Sequence, residues 1–123
     1  MQEVVFDSSF LMAVAERPTT WLEDIVDKTG KVQPVLLSCV RRELERLASG
    51  DGKKARLARV ALEMAAGFGG GPCGGASVDD ELVSYALTGG ALVATTDSEL
   101  LRSLKAARVK AVTLRGGRAV LTE

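Results

Sequence analysis

Short apolar runs alternate with longer amphipathic segments along this chain. Runs rich in β-branched residues cover residues 3–6, 32–37 and 91–95 and predict three strands. Segments with helical spacing or helix-forming composition predict six helices, over residues 8–16, 21–29, 39–48, 53–66, 77–87 and 98–107. Two last apolar runs, 109–114 and 119–121, flank Arg115-Gly116-Gly117-Arg118 and predict a hairpin.

Strands separated by helices are typical of a mostly parallel sheet covered on both faces. We therefore expect a three-layer α/β/α fold with about five strands. A chain of 123 residues fits a single domain, residues 1–123. The glycine-rich segment 67–75 is expected to form an irregular loop.

Composition narrows the chemistry that the chain could perform. The chain contains no histidine, which excludes Ser-His and Cys-His nucleophile pairs. Its formal net charge is zero, so the chain lacks the excess of positive charge that would indicate a nucleic-acid partner. Cys39 and Cys73 are too few for a disulfide framework or a zinc site and are expected to be inert thiols. Apolar stretches are too short to span a bilayer, which favours a cytoplasmic protein without membrane contact.

Four acidic residues occupy positions where a parallel sheet gathers its ligands, beyond the carboxyl ends of the strands. Asp7 follows the first strand and Asp97 follows the strand at 91–95, while Glu43 and Asp80 lie early in helices. Converging carboxylates repel one another unless a cation neutralises them. Mg²⁺ or Mn²⁺ accepts oxygen ligands and often shares its site with substrate phosphates, so the implied reaction is phosphodiester hydrolysis.

Four segments resemble the acidic motifs of PIN-domain nucleases, in order and over nearly the whole chain. They are residues 4–12 (VVFDSSFLM), 40–44 (VRREL), 78–83 (VDDELV) and 93–100 (VATTDSEL). With residues 52–58 (GKKARLA), the chain is most similar to archaeal single-domain members related to the small-subunit processome nuclease, and it also resembles VapC-type toxin ribonucleases. The glycine-rich segment, which carries a cysteine, departs from the family pattern.

This resemblance implies a parallel sheet, a Mg²⁺ or Mn²⁺ site and endonuclease action on RNA. It also implies a role in ribosomal RNA processing or as a toxin with an antitoxin partner, and it leaves a homodimer open. The residues carried over as catalytic, metal-binding acids are Asp7, Glu43, Asp80 and Asp97, with Asp79 as the alternate to Asp80. Ser8 and Thr95 are expected to support these acids, and Lys53, Lys54 and Arg56 are candidates for RNA contact.

Simpler structural roles compete with these assignments. Asp7 and Asp80 could cap helices, as could Glu99 together with Thr96, and Glu43 could pair with Arg42 or Arg46. Lys53, Lys54 and Arg56 could form only a solvated helix face. At the level of function, a catalytically silent module that binds RNA or protein is the main alternative. A receiver-like phosphoacceptor is disfavoured because Asp7 has no acidic neighbour in sequence.

Overall fold

The computed structural model describes residues 1–122, which form an α/β fold. Its strands are β1 (Gln2–Phe6), β2 (Val32–Leu37), β3 (Gly69–Gly71), β4 (Leu92–Ala94), β5 (Ala111–Arg115) and β6 (Arg118–Leu121). Its helices are α1 (Ser8–Glu16), α2 (Trp21–Thr29), α3 (Ser38–Ala48), α4 (Gly52–Met64), α5 (Val78–Gly89) and α6 (Ser98–Ala106). Every helix and strand expected from the sequence is present, with ends shifted by at most two residues.

All six strands belong to one sheet in the order β3-β2-β1-β4-β5-β6. Neighbouring strands are parallel except β5 and β6, which form the expected antiparallel hairpin. Starting from β1, the chain first adds strands on one side and then returns to add β4 and β5 on the other. The order therefore reverses between β1 and β4, which is where open parallel sheets form a ligand-binding crevice.

Helices cover both faces of the sheet, so the expected three-layer fold is confirmed. Helices α1, α3 and α4 pack against one another, whereas α5 and α6 contact each other. Right-handed crossovers explain this division, because connections that move in opposite directions along a sheet place their helices on opposite faces. Among residues 1–122, no helix combines the length and the apolarity needed to cross a bilayer.

An aromatic cluster anchors the helices to the first strand. Phe6 at the end of β1 packs edge-on against Phe10 of α1 and Trp21 of α2, with ring centroids 5.6 and 5.4 Å apart. Phe68, which precedes β3, completes the cluster at 5.1 Å from Phe6. Phe6 and Phe10 are fully buried. The end of β1, and with it Asp7, is thereby held by packing from three separate segments.

The glycine-rich segment does not form the wholly irregular loop that its composition suggested. Gly69–Gly71 pairs with β2 in parallel and adds a sixth, edge strand to the sheet. A Cβ at Gly71 would lie 2.9 Å from Leu37 Cδ2 and 3.5 Å from Tyr85 Cε2. A side chain at Gly71 would thus require the buried Leu37 to shift, whereas a Cβ at Gly70 would meet no atom within 4 Å. This strand therefore has no cross-strand side-chain packing of its own.

The two cysteines form a disulfide, so the expectation of inert thiols was wrong. Cys39, in the first turn of α3, is bonded to Cys73, two residues beyond β3, and its backbone amide also donates to Cys73 Sγ. The spacing of 34 residues gave no hint, because pairing two isolated cysteines requires the β2–β3 contact that brings them together. The bond fastens the weakly packed glycine strand to α3.

We expect the double variant Cys39→Ser/Cys73→Ser to lose about 3 to 4 kcal/mol of unfolding free energy, since the disulfide closes a loop of 34 residues in the unfolded chain. Denaturant unfolding with and without a thiol reductant measures this. Reduction should lower the midpoint of the wild type and leave the double variant unchanged. Equal midpoints for oxidised and reduced wild type would contradict the prediction.

A buried carboxylate joins the terminal hairpin to α2. Asp24 is only 4% exposed and accepts hydrogen bonds from Arg118 Nη2 at 2.7 Å and from the Ala119 amide at 3.0 Å. Thr20 Oγ1 also donates to the Asp24 carboxylate, while the Thr20 side chain accepts no capping hydrogen bond from the first turn of α2. The bonds from Arg118, and next the amide of Ala119, lower the pKa of Asp24.

Asp24→Asn should lower the Tm at neutral pH, because the amide loses the charge-assisted bonds from Arg118. A lowered folded-state pKa means that this contribution exists above the unfolded pKa and is lost as pH falls through the folded-state pKa. The Tm difference between wild type and variant should therefore shrink in acid, as thermal unfolding across pH would measure. Glu23→Gln, on an exposed position of the same helix, is the control. A difference that grows in acid would refute this assignment.

Candidate functional site

Asp7 lies at the point where the strand order reverses. Its amide donates to the Ala94 carbonyl at 2.9 Å, which continues the β1–β4 pairing by one residue and places Asp7 beside Thr95. Asp7 is 6% exposed, and Thr95 is fully buried. The carboxylate is therefore fixed at the carboxyl ends of two neighbouring strands, where the sequence placed it.

Two hydroxyl groups hold one oxygen of this carboxylate. Ser9 Oγ and Thr95 Oγ1 donate to Asp7 Oδ2 at 2.6 and 2.8 Å. The backbone binds these hydroxyls in turn, because the Thr96 amide donates to Ser9 Oγ and the Asp97 amide donates to Thr95 Oγ1, both at 3.0 Å. The network joins the β1–α1 turn to the β4–α6 turn and fixes the orientation of Asp7.

Asp97 begins α6 and caps it. Its Oδ1 accepts the amides of Glu99 and Leu100 at 2.8 and 3.1 Å. The expected capping by Thr96 with Glu99 is wrong, since Asp97 is the capping residue. In the described part of the chain no group donates to Asp97 Oδ2. One carboxylate oxygen thus holds the helix and the other is available to a ligand.

Glu43 reaches the same region from α3. Ser8 Oγ donates to Glu43 Oε1, so this hydroxyl contacts Glu43 and not Asp7. Neither Arg42 nor Arg46 forms an ion pair with Glu43 among residues 1–122. Glu43 is therefore oriented by the first residue of α1 and not by its basic neighbours.

Of the adjacent acids on α5, Asp79 is the one that interacts with the other carboxylates. Its pKa is raised by burial and then by the negative charges of Asp7, Asp97, Glu43 and Asp80. Asp80 follows on a different side of the helical turn, and its amide donates to Ser77 Oγ, which caps α5. Asp80 is therefore the residue whose amide is capped by Ser77, whereas Asp79 is within electrostatic range of Asp7, Glu43 and Asp97.

Burial makes Asp7 an unusually weak acid. Loss of solvation raises its pKa, the hydrogen bonds from Ser9 and Thr95 lower it, and the charge of Glu43 raises it again. Repulsion from Glu43 adds to the cost of ionising this group. Four carboxylates on separate elements therefore share one negatively charged region at the edge of the sheet.

A family model for the PIN like domain matches residues 4–117 of the sequence. The chain belongs to the PIN-like domain family. No curated protein sequence matches it significantly. Membership of the family establishes the fold, whereas the activity depends on the side chains that form the site.

Solved structures support the PIN-like assignment. The PIN domain endonuclease Utp24 superposes with a TM-score of 0.78 at 25% identity, covering 95% of this chain and 90% of that one. A domain of a functionally unknown Methanocaldococcus jannaschii protein gives 0.66 at 15% identity, covering 94% and 93%. PAE2754 from Pyrobaculum aerophilum gives 0.55 at 19% identity, covering 82% and 78%. The last two establish likeness of fold alone.

A divalent ion suits the donor atoms of this PIN-like site, although the acids do not form a closed cage. All candidate ligands are carboxylate or hydroxyl oxygens, and burial followed by repulsion from the other acids raises the pKa of Asp79. Within residues 1–122, no three acidic or cysteine side chains lie close enough together to hold an ion directly. The arrangement fits Mg²⁺ or Mn²⁺, which keep several waters and need only one or two carboxylates.

Ser9 is the supporting residue that the sequence analysis missed. It lies two residues after Asp7, a spacing that lets a helix-start serine bond back to the preceding acid. The spacing of two residues between Asp7 and Ser9 is the sequence feature that could have identified Ser9 in advance. Ser8 drew the prediction because it is adjacent to Asp7, but the first turn of the helix directs it toward Glu43.

The basic residues of α4 lie on the same side of the domain as Ser9. Lys53 and Lys54 line a cavity of about 440 Å³ with Ser9 and Met12, and Lys53 Nζ pairs with Glu16. Arg56 is exposed and does not line this cavity. RNA contact by these three residues stays a prediction, and Glu16 already balances the charge of Lys53.

Asp7→Asn should raise the Tm of metal-free protein at neutral pH. The amide oxygen can still accept the bonds from Ser9 and Thr95, while the cost of a buried charge is removed. A gain of about 1 kcal/mol would raise the Tm by about 4 °C in a domain of this size.

The gain should depend on pH in a defined direction. Because the folded-state pKa of Asp7 is raised, the charge destabilises the wild type above that pKa and not below the unfolded pKa. The advantage of the variant should thus vanish in acid, as differential scanning calorimetry in EDTA would measure. Asp80→Asn is the exposed control. A lower Tm for Asp7→Asn at neutral pH would contradict this account.

Proposed function

We propose that this protein is a divalent-metal-dependent endoribonuclease that hydrolyses RNA phosphodiester bonds. The observation that carries the proposal is the electrostatic coupling of Asp79 to Asp7, Asp97 and Glu43. These four acids lie in four separate parts of the chain. The similarity to the endonuclease Utp24 supports it, since that match covers nearly the whole chain. A single domain over residues 1–123 would then hold the complete set of acids.

Asp7, Glu43, Asp79 and Asp97 would hold Mg²⁺ or Mn²⁺, with some contacts made through water. Asp79 replaces Asp80 in this set because it is the one coupled to the other acids. When bound, the ion would supply an activated water and offset the charge that develops on the phosphate. Asp97 suits this role because its Oδ2 is left available by the helix cap.

The remaining residues of the site orient these acids. Ser9 and Thr95 fix Asp7, and Ser8 fixes Glu43. Oriented carboxylates spend little free energy on reorganisation when an ion and a phosphate bind. These hydroxyls would thus act on catalysis through the acids that they orient.

The biological role follows from the sequence resemblance. Similarity to processome-related family members favours processing of ribosomal RNA. A toxin with a protein antitoxin is the second role, and an antitoxin gene beside this one would favour it. Either role is compatible with a homodimer.

The decisive experiment compares Asp79→Asn with Asp80→Asn, two adjacent substitutions of identical chemistry. Calorimetric titration with Mn²⁺ should give saturable binding to the wild type that is weakened at least about tenfold by Asp79→Asn, the order of loss expected for a disturbed metal site. Cleavage of a structured RNA should fall in parallel. Asp80→Asn should bind and cleave like the wild type, and loss in this variant alone would reverse the assignment.

Asp97→Asn provides a further check because asparagine also caps helices well, so the fold should be retained. Its Mn²⁺ binding and RNA cleavage should both be lost. A wild type that binds RNA but cleaves none with Mn²⁺ present would favour the alternative function, a catalytically silent RNA-binding module. Absence of Mn²⁺ binding at millimolar concentration would refute the metal-dependent mechanism.

A further inference from the structure

A basic groove begins beside the acidic edge and runs between α6 and the β5–β6 hairpin. It encloses about 600 Å³, and its floor includes Leu101 and Leu121. Arg102, Lys105 and Arg115 line it, and no acidic residue of the described chain does. This is a separate surface from the α4 cavity that contains Lys53.

Sheet topology connects this groove to the acids. β5 is parallel to β4, so Arg115 at the end of β5 lies at the same edge of the sheet as Asp97, which follows β4. Ser98, the residue after Asp97, lines the groove. The groove therefore opens at the acidic edge and extends away from it.

Helix α6 arranges its polar and basic groups along the groove. Ser98, Arg102 and Lys105 are spaced by four and three residues, so they occupy one face of the helix. The eight residues from Ser98 to Lys105 are separated by seven helical steps, which span about 10 Å at about 1.5 Å per step. This length matches roughly three nucleotides at a stacked spacing of about 3.4 Å.

Arg115 and its strand partner differ in how their charges are used. Arg115 pairs with Arg118 in the β5–β6 register. Arg118 is bound to Asp24, whereas Arg115 forms no ion pair among residues 1–122. The charge of Arg118 is therefore paired with Asp24, although its side chain is 68% exposed, whereas Arg115 lines the groove without an acidic partner in the described chain.

We propose that this groove binds the phosphodiester backbone of a single-stranded RNA segment that extends from the scissile bond at the acidic edge. The proposal rests on the proposed nuclease function for the position of that bond. Arginine suits phosphate through its paired N–H donors, and the leucine floor offers an apolar surface for bases or ribose. Repulsion from the acids would keep the backbone in the groove until an ion neutralises the edge.

The test measures binding of a labelled single-stranded RNA oligonucleotide in EDTA, by fluorescence anisotropy over a series of salt concentrations. Arg102→Ala/Arg115→Ala should raise the Kd roughly tenfold and reduce the salt slope by about 1.4, since each phosphate contact to a single strand contributes about 0.7. Arg102→Lys/Arg115→Lys should retain most of the slope. Lys28→Ala/Lys31→Ala removes the same charge from exposed positions away from the groove and should leave the slope unchanged.

Cleavage kinetics separate this proposal from the nuclease assignment. With Mn²⁺ present, Arg102→Ala/Arg115→Ala should raise KM and leave kcat near the wild-type value, because the acids are untouched. Wild-type cleavage with unchanged KM and Kd in this variant would overturn the groove and leave the nuclease intact. Groove-dependent binding by a wild type that never cleaves would support the groove and overturn the nuclease. An equal loss in the Lys28/Lys31 control would reduce the effect to overall charge and refute the groove.

Discussion

The buried carboxylate of Asp7 is the constraint on which the rest of the site depends. A carboxylate can remain buried only if hydrogen bonds replace its lost water, and Ser9 and Thr95 provide them. Those hydroxyls are themselves fixed by amides of the β4–α6 turn, so Asp7 is bonded to the same turn that presents Asp97. The reversal of strand order between β1 and β4 creates this contact. One buried group thereby sets the relative position of two acids that are distant in sequence.

The same arrangement opposes stability. Burial and the nearby negative charge of Glu43 favour the protonated form of Asp7, and burial with the neighbouring acids favours the protonated form of Asp79. The fully charged site is therefore strained without a cation. The packing of Phe6, Phe10 and Trp21 behind it is apolar and continuous. The core therefore holds the end of β1 in place although the adjacent acids repel one another.

Support at the outer edge of the sheet comes from a covalent bond. Three glycines bring β3 close to β2 but contribute no side-chain packing and lose much conformational entropy on folding. The Cys39–Cys73 disulfide joins this strand to α3, the helix that carries Glu43. Beyond Cys73, Glu81 accepts the amides of Gly74 and Ala76, which orders the approach to α5 and Asp79. The disulfide thus bonds the helix that carries Glu43 to the segment that leads into α5 and Asp79.

A net charge of zero conceals a separation of charge along the sheet edge. Acids follow β1 and β4, whereas Arg115 ends β5 on the adjacent strand. An opposite charge beside a catalytic edge can hold a polyanion without placing cations among the metal ligands. A net charge of zero therefore does not describe any one surface of the protein, because an average over the chain does not contain this arrangement.

The sequence by itself determined the layered α/β fold, most element boundaries, and the positions of Asp7 and Asp97 after strands. These depend on local periodicity and on the short distance between a strand end and its next residue. Tertiary structure decided the rest. The β3 strand, the disulfide, the contacts of Ser9 with Thr95 and Thr96 and the nearness of Asp79 to the other acids all depend on segments far apart in the chain. Local pattern carries no information about such contacts, since the strand order β3-β2-β1-β4-β5-β6 creates them.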